Sequence, residues 1–304
     1  MPRSPQPFAF AICAMLLAIV LYDVMGAIVK DLRADYTTQQ LTEFRNLFGL
    51  VPAGILLMRS RSWIAAGRPL VIRQWPLAVL RGIIGVCAQL SFYLALIHMD
   101  LATATTLVFA GPLFVTALSW PILGHVVGWL RWGAVVLGFG GVVLVLGPNQ
   151  GEVSWTAFLP VLAALGYGCT AVTAKLFDDD VPTPLVSLYY TLTALLAAVI
   201  LTLWTGGFTP VSSGADWAWL AMMGCVGGLA AFFMTNVNRM ADPSSLSPFQ
   251  YFGIPSSFLL GWMFFSEAPF DDLIPGVFLI IAGGLIIVAR ERQLGKAPPA
   301  PLRR

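Results

Sequence analysis

The sequence has few charged residues for its length. Of its 304 residues, only 11% are Asp, Glu, Lys or Arg, whereas 58% are hydrophobic and the mean hydropathy is +0.82. A soluble domain contains about 25% charged residues. This composition excludes a soluble globular domain and predicts an all-α integral membrane protein.

The sequence also lacks the residue groups that membrane-embedded enzymes and ATP-driven pumps use. It has two histidines, and its four cysteines lie in apolar runs without the spacing of a metal site. No Gly-x-x-x-x-Gly-Lys-Ser/Thr loop for ATP is present. We therefore expect no metal, no cofactor, no nucleic-acid partner and no enzymatic activity, and any driving force must come from gradients or from a substrate itself.

Apolar runs bounded by charged residues, proline or glycine predict ten membrane-spanning helices. The first five are Phe8–Val29, Gln40–Met58, Trp75–Ile97, Leu101–Leu123 and Leu130–Leu146. The second five are Trp155–Lys175, Leu185–Trp204, Trp217–Val237, Leu246–Phe265 and Leu273–Ala289. Because each span needs about 20 residues, the chain has no room for a soluble catalytic domain.

The two halves of the sequence match each other at a nearly constant separation. The pairs 143 positions apart include Gly85 with Gly228, Phe109 with Phe252, and Pro112 with Pro255, and those 145 apart include Tyr22 with Tyr167 and Lys30 with Lys175. Each half has an odd number of spans, so the second half is inverted relative to the first. This predicts a five-plus-five inverted repeat around a central cavity, with a first repeat over residues 1–150, a second over 151–290 and a tail over 291–304.

The basic residues are unequally divided between the two faces of the predicted bundle. One face receives Lys30, Arg33 and Arg45, and the other receives the remaining 14 of the 17 Lys and Arg residues. Because cytoplasmic loops contain the excess of Lys and Arg, we expect both termini in the cytoplasm and the chain in the inner, or cell, membrane.

Several stretches resemble the EamA type of the drug/metabolite transporter superfamily. The resemblance is clearest in LRGIIGVCAQLSFYLAL, LATATTLVFAGPLF and LRWGAVVLGFGGVVLVLGP, and in their second-half counterparts SPFQYFGIPSSFLLGWMFFSEAP and PGVFLIIAGGLIIVARE. The stretches MGAIVK and EFRNLFG extend it to essentially the whole chain. The resemblance implies ten helices, a cavity at the repeat interface and movement of small organic solutes such as amino acids. One position departs from the family pattern, because His125 replaces a glutamate that the second half retains as Glu267.

Prolines within two spans predict helix breaks beside the cavity. Gly111 with Pro112, and Pro255 in the second half, interrupt apolar runs, and a proline leaves the carbonyl four residues earlier without its amide donor. Such a carbonyl needs a partner in hydrocarbon, which a wet cavity or an ammonium group can supply. The alternative is a kink sealed by neighbouring helices. Recurrence in both halves favours the cavity.

Polar and aromatic side chains inside the spans are the candidate cavity residues. On the third span, one face contains residues at intervals of four, namely Arg81, Gly85, Gln89 and Tyr93. This face favours a wet pocket slightly over interhelical hydrogen bonding. Tyrosine rings suit cationic groups and their hydroxyls suit carboxylates, although core packing explains many single rings. The full set of candidates is Tyr22, Asp23, Arg45, Arg81, Gln89, Tyr93, Phe109, Tyr167, Asn236, Gln250 and Tyr251.

The charges inside the membrane require partners. Asp23 and Arg45 lie about seven residues from the same face, so we predict that they form an ion pair. A proton-coupling role for Asp23 is the alternative. For Arg81, snorkelling to the interface is the default interpretation, and binding of a substrate carboxylate is the alternative.

These features favour a secondary transporter that works by alternating access. Amino-acid export is the leading function. Uptake of S-adenosylmethionine is the second candidate, because YDVMGAIVK and FRNLFG resemble carriers of that subset. A non-transporting membrane subunit is the third. The expected partners are a small-molecule substrate and membrane lipid, while the coupling ion and the oligomeric state stay open.

Overall fold

The protein is a bundle of helices in the computed structural model, which describes residues 8–124, 129–145, 155–178, 180–211, 213–240, 250, 252–267 and 274–295. The helices are α1 Phe8–Leu32, α2 Thr38–Met58, α3 Arg61–Ala65, α4 Trp75–His98, α5 Leu101–Val108, α6 Gly111–Leu123, α7 Trp129–Val145, α8 Leu159–Thr173, α9 Thr183–Thr205, α10 Gly214–Met240, α11 Gly253–Phe265 and α12 Gly276–Gly295. Short 3₁₀ turns at Trp155–Phe158 and Ala174–Leu176 flank α8. No strand is present in the described part of the chain.

Helices occupy all ten predicted positions. Within the described residues, seven helical segments are long and apolar enough to cross a membrane, and Trp132–Leu144 and Gly253–Phe265 are shorter apolar helices. The all-α membrane class predicted from composition is therefore confirmed. The predicted ends at Leu146, Leu246 and Leu273 lie outside the described residues, as do His125 and Tyr251.

Local sequence signals set several helix ends. Thr37 caps α2, because its hydroxyl accepts the N–H of Gln40 at 3.3 Å. Prolines occupy the first turns of α4, α6, α8 and α9, where the missing N–H costs nothing. Helices α6 and α9 end at Gly124 and Gly206, whose φ angles of 69° and 64° require the left-handed conformation that glycine tolerates.

The fourth predicted span is two helices instead of one. Helix α5 ends at Val108 and α6 begins at Gly111, with Pro112 in its first turn and a turn at Phe109 and Ala110 between them. In the second half, α11 begins at Gly253 after a turn at Phe252, the repeat mate of Phe109. The two breaks touch each other, because a methyl group built on Gly253 would overlap the Phe109 ring.

Equivalent helices of the two halves make equivalent packing contacts with the other half. Helix α1 packs against α10, and its equivalent α8 packs against α4. The second helices of the two halves, α2 and α9, pack against each other, and so do the fifth helices, α7 and α12. This reciprocal pattern is the one expected of an inverted repeat with a pseudo-two-fold axis in the membrane plane.

Repeat-mate glycines make these contacts close. A methyl group on Gly85 of α4 would overlap the Tyr190 ring of α9. A methyl group on Gly228 of α10 would lie 2.7 Å from the Gly49 Cα of α2. Each glycine thus lets the third helix of its half approach the second helix of the other half, as small residues do between membrane helices.

The two faces of the bundle are named here by their residues. The Lys30 side is the face at which α1 ends and α2 begins, and the Arg239 side is the opposite face. The largest hydrophobic cluster in the described residues lies on the Lys30 side, where Leu32, Phe44, Leu96 and Leu101 are buried from four different helices. Tyr36 ties the loop after α1 to α10 by donating to Asp216 Oδ2 at 2.7 Å. The Lys30 side is therefore closed by packed apolar side chains.

Candidate substrate cavity

A cavity of about 190 Å³ lies between the two halves. Helices α1, α4, α5, α6, α8, α9 and α10 contribute to its wall. Helix α1 lines it near its middle, from Ile19 to Met25, whereas α10 lines it from Ala231 to Asn238, close to the Arg239 side. The cavity is therefore displaced from the middle of the bundle toward the Arg239 side, and Met25 and Phe92 of the hydrophobic cluster also line it.

The broken helix and two paired tyrosines form part of the wall. Phe109, Gly111 and Pro112 line the cavity at the break between α5 and α6. Tyr22 of α1 and its repeat mate Tyr167 of α8 line it from opposite halves of the chain. This places an interrupted helix and two phenol rings around one space, the arrangement that suits a polar solute at membrane depth.

Asp23 is the acidic group of the cavity wall. Its residue is 5% exposed, and its Oδ2 atom has no hydrogen-bond partner. The Ser256 hydroxyl of α11 lies beside this carboxylate. A buried carboxylate oxygen without a partner is costly, so this atom is positioned to accept a hydrogen bond from a bound solute.

Arg81 is the basic group of the same wall. It is 4% exposed, its Nε donates to the Thr170 carbonyl at 2.9 Å, and its guanidinium carbon lies 5.8 Å from the centre of the Tyr190 ring. Its Nη1 atom has no hydrogen-bond partner. The snorkelling expected of Arg81 is wrong, because Thr170 and Tyr190 hold the guanidinium inside the bundle.

The predicted ion pair between Asp23 and Arg45 does not form. Arg45 donates from Nη1 to Asn46 Oδ1 at 2.8 Å and from Nη2 to the Gly227 carbonyl at 2.9 Å. Asp23 faces Ser256 instead. Similar depth along two helices was the basis of the prediction, but depth does not fix the direction in which each side chain points around its helix.

The remaining candidates are divided between the cavity and its surroundings. Gln250 lines the cavity. Gln89 and Tyr93 are buried beside Arg45 and outside the cavity wall, with Asn46 Nδ2 donating to Gln89 Oε1 at 3.4 Å. Asn236 is half-buried outside the wall, and Pro255 lies in the first turn of α11.

Other polar residues line the cavity and were not among the candidates. They are Thr105, Thr170, Ser187, Tyr190, Thr235 and Asn238. On α10, Ala231, Thr235 and Asn238 recur at intervals of four and three and so share one face, while Gly228 turns another face toward α2. The interval of three between Thr235 and Asn238 is the sequence signal that identifies the true cavity face.

A cluster of charged and backbone groups closes the Lys30 side between the two halves. Lys30 at the end of α1 forms an ion pair with Glu267, just after α11, and donates to the Met99 carbonyl at 3.3 Å. Glu267 Oε2 accepts the Leu101 N–H at 3.0 Å, which caps the start of α5. The Lys30 ammonium also lies 5.4 Å from the centre of the Phe265 ring. We name this group the Lys30–Glu267 latch.

Among the described residues, no group of three His, Cys, Asp or Glu side chains lies close enough together to hold a metal ion. The cavity instead presents one carboxylate oxygen and one guanidinium nitrogen, both unpaired. The cavity wall thus offers one unpaired hydrogen-bond acceptor and one unpaired donor.

Comparison with known proteins supports the resemblance. The EamA-like transporter family model matches residues 9–147. The chain is 26% identical over 286 residues to an S-adenosylmethionine uptake transporter of Rickettsia prowazekii, covering 93% of each protein. It is 27% identical over 274 residues to a pseudopaline exporter of Pseudomonas aeruginosa, covering 90% of this chain and 91% of that protein.

Two further comparisons concern part of the chain and the fold. A riboflavin transporter of Rhizobium johnstonii is 33% identical over 197 residues, and the match spans 64% of each protein. A solved crystal structure superimposes with a TM-score of 0.65 at 18% identity, covering 95% of this chain and 99% of that one. At this identity the structural match shows the shared fold alone.

These relatives are named for different metabolites, but each is a transporter or an exporter. The chain is accordingly a membrane transporter of small molecules and not an enzyme. The family match lies in its first half. Residues 9–147 therefore match an EamA-like transporter domain.

Proposed function

We propose that the protein is a secondary carrier of small zwitterionic metabolites, with neutral amino acids as its first substrates and export as its direction. One observation supports this proposal above all others. An unpaired carboxylate oxygen of Asp23 and an unpaired guanidinium nitrogen of Arg81 face the same cavity. A substrate with an ammonium and a carboxylate group satisfies both.

The energetics favour a ligand of this type. A buried charge that lacks a partner is strongly destabilising, whereas hydrogen bonds to charged groups contribute about 1.5–3 kcal/mol each. Asp23 and Arg81 are both almost fully buried. A zwitterion that bridges them replaces two unsatisfied groups by two charge-assisted hydrogen bonds. A ligand with only one charge leaves the other group unpaired.

The size and lining of the cavity favour small amino acids. Its volume is about 190 Å³, whereas pockets for drug-sized ligands measure about 300–1,000 Å³. Ile19, Val108, Val115 and Met234 supply apolar wall beside the charged groups. This combination suits neutral amino acids with apolar side chains, such as leucine and methionine.

The closed Lys30 side supports a mechanism of alternating access, in which the two faces of the bundle open in turn. The Lys30–Glu267 latch joins the first repeat to the second, and rocking of repeats 1–150 and 151–290 about the cavity would break it. If the termini are cytoplasmic, as the basic residues predict, the cavity lies toward the cytoplasm and the described conformation is the one that loads substrate for export. Reporter fusions to the two termini in the cell membrane test this orientation.

Uptake of S-adenosylmethionine is the second candidate. The relative in Rickettsia prowazekii, which matches over 93% of each chain, supports it. S-adenosylmethionine also has an amino-acid head group, which can pair with Asp23 and Arg81. Its adenosine requires more room than the cavity of about 190 Å³ offers, so this candidate needs a wider conformation.

The test is transport by the purified protein in liposomes. We expect uptake of labelled leucine or methionine, and S-adenosylmethionine and riboflavin are included in the panel. No transport of any compound in the panel would contradict the carrier proposal and favour a non-transporting subunit. Transport of S-adenosylmethionine without amino acids would favour the second candidate.

Binding in detergent tests the roles of the two charges. We expect Arg81→Gln and Asp23→Asn each to weaken leucine binding by about 10- to 100-fold, because each removes one charged hydrogen bond. Arg81→Gln should remove the preference for leucine over isoamylamine, which lacks the carboxylate. Asp23→Asn should remove the preference over isocaproate, which lacks the ammonium group. Arg59→Gln, at the exposed end of α2, is the matched control.

A further inference from the structure

We infer a second anion-binding subsite between the cavity and the Lys30 side, built from Arg45, Asn46, Gln89 and Tyr93, and we name these four residues the Arg45 cluster. This inference rests on the proposed function, because the anion it would receive is the substrate carboxylate. Met25 separates the cluster from the cavity.

The first argument is the unpaired cation. Arg45 is 3% exposed, and its two Nη atoms donate only to neutral acceptors, the Asn46 amide oxygen and the Gly227 carbonyl. Within the described residues, no carboxylate forms an ion pair with it. A buried guanidinium without an anion is costly, and that cost is removed when an anionic group binds.

The second argument is that donors remain unused. The Nε of Arg45 and the Nε2 of Gln89 have no hydrogen-bond partner, although both residues are 3% exposed. A hydrogen bond that only joins α2 to α10 explains the contact of Arg45 with Gly227. It does not explain why the other two donors are buried without an acceptor. Asn46 hydrogen-bonds to both side chains, so the unused N–H of the Arg45 guanidinium and the unused amide of Gln89 lie in one cluster and suit a carboxylate.

The third argument is the position of Met25. Met25 lines the cavity, and its sulfur accepts the Tyr93 hydroxyl at 3.6 Å. A methyl group on Gly227 would lie 2.5 Å from Met25 Sδ and 2.9 Å from Arg45 Nε, so both atoms crowd the same small space. Met25 is therefore the side chain between the cavity and the Arg45 cluster, and its flexible thioether can change rotamer without breaking a strong bond.

The two cations then lie at successive depths along one route. Arg81 is six residues from the Arg239-side start of α4, and Arg45 is seven residues from the Lys30-side start of α2. At about 1.5 Å per residue, each lies roughly 10 Å inside its own face. A carboxylate released by Arg81 would meet Arg45 next on its way to the Lys30 side.

The test measures charge selectivity at Met25 and does not depend on the identity of the substrate. Met25→Cys is introduced into the full chain after Cys13, Cys87, Cys169 and Cys225 are replaced by serine. The cysteine is then modified by sulfonatoethyl methanethiosulfonate, an anion, and by trimethylammonioethyl methanethiosulfonate, a cation. We expect the anion to react at least about tenfold faster, relative to a free thiol in solution, because a cleft of one charge concentrates its counter-ion.

Matched substitutions test whether Arg45 causes this preference for the anionic reagent. Arg45→Gln should abolish the preference, Arg45→Lys should retain part of it, and Arg59→Gln should leave it intact. If Met25→Cys does not react, or prefers the cation, or keeps its preference in Arg45→Gln, the inference is wrong. These outcomes are independent of the transport panel, so failure of the subsite and failure of the proposed function are distinguishable.

A second measurement applies if the cysteine-free chain does not fold. In the native-cysteine background, Arg45→Gln should lower leucine transport at least about tenfold while the leucine Kd at the cavity changes by less than about threefold. Equal loss of binding and transport, or no loss of either, would overturn the inference.

Discussion

We predict how strongly the ion pair of the Lys30–Glu267 latch holds the Lys30 side closed from the burial of its two side chains. The side chain of Lys30 is 2% exposed and that of Glu267 is 17% exposed. In Glu267→Gln, the buried Lys30 ammonium loses its ion-pair partner and keeps the Met99 carbonyl, the Phe265 ring and the weaker attraction of Asp100. Removal of one partner from a buried pair costs about 3–5 kcal/mol, and the partial exposure of Glu267 places this case at about 3 kcal/mol.

That energy translates into a change of population. Since every 1.4 kcal/mol corresponds to a factor of ten, the conformation closed at the Lys30 side should lose about 100-fold in relative population. Lys30→Met should have a smaller effect, because Glu267 still accepts the Leu101 N–H and is partly exposed. The double variant contains no lone buried charge, so it should return to within about tenfold of the wild type.

The assay is the rate at which Thr105→Cys, in the cavity wall, reacts with an impermeant maleimide applied from the Lys30 side. Oriented membranes and a chain without native cysteines are used. Asp31→Asn is the control, because Asp31 is an exposed acid one residue from Lys30. The reasoning is refuted if Glu267→Gln labels at the wild-type rate, or if the double variant labels as fast as Glu267→Gln.

Three further predictions concern stability. Gly228→Ala should lower the free energy of unfolding by about 1–3 kcal/mol through overpacking against α2. Gly54→Ala has open space around it and should raise the free energy of unfolding by up to about 1 kcal/mol. In detergent, the Tm should therefore fall in Gly228→Ala and rise in Gly54→Ala. The hydrogen bond to Asp216, followed by burial, raises the pKa of Tyr36 from 10.0 to about 12. This raised pKa gives stability that is fully present below pH 10 and is lost as the pH rises toward 12. In Tyr36→Phe, the Tm should therefore decrease less between pH 10 and pH 12 than in the wild type. An equal decrease would exclude Tyr36 as its cause. Arg239→Lys should lower Tm by a few degrees, because an ammonium cannot reproduce donation to the Val181 carbonyl at 2.6 Å and, from the second nitrogen, to the Asp178 carbonyl at 2.9 Å; a Tm equal to that of the wild type would contradict this.

Much of the fold was predictable because each element has a strong local signal. Hydrophobic length set the ten helical positions. The packing of α1 with α10 and of α8 with α4 was not predicted, although it has the reciprocity expected of the predicted inverted repeat. Pro112 marked the break between α5 and α6, since a proline disrupts a helix wherever it lies in the sequence. The tyrosines Tyr22 and Tyr167 were candidates because they are repeat mates well inside their spans, and both line the cavity.

The partners of the buried charges were not predictable, because they depend on how helices rotate against each other. Sequence placed Asp23 and Arg45 at similar depth, but packing turned Asp23 toward Ser256 and Arg45 toward Gly227. Likewise, a sequence cannot distinguish an arginine that snorkels to an interface from Arg81, which Thr170 holds inside.

The sequence by itself therefore determined the membrane class, the ten helical positions and the helix break at Pro112, since these depend on residue type and on spacing along the chain. Only the tertiary structure decided which charges face the cavity, which are joined in the Lys30–Glu267 latch and which remain unpaired. The physical reason is that pairing requires two side chains from distant helices to meet at one depth and one rotation, and only the packed bundle fixes both.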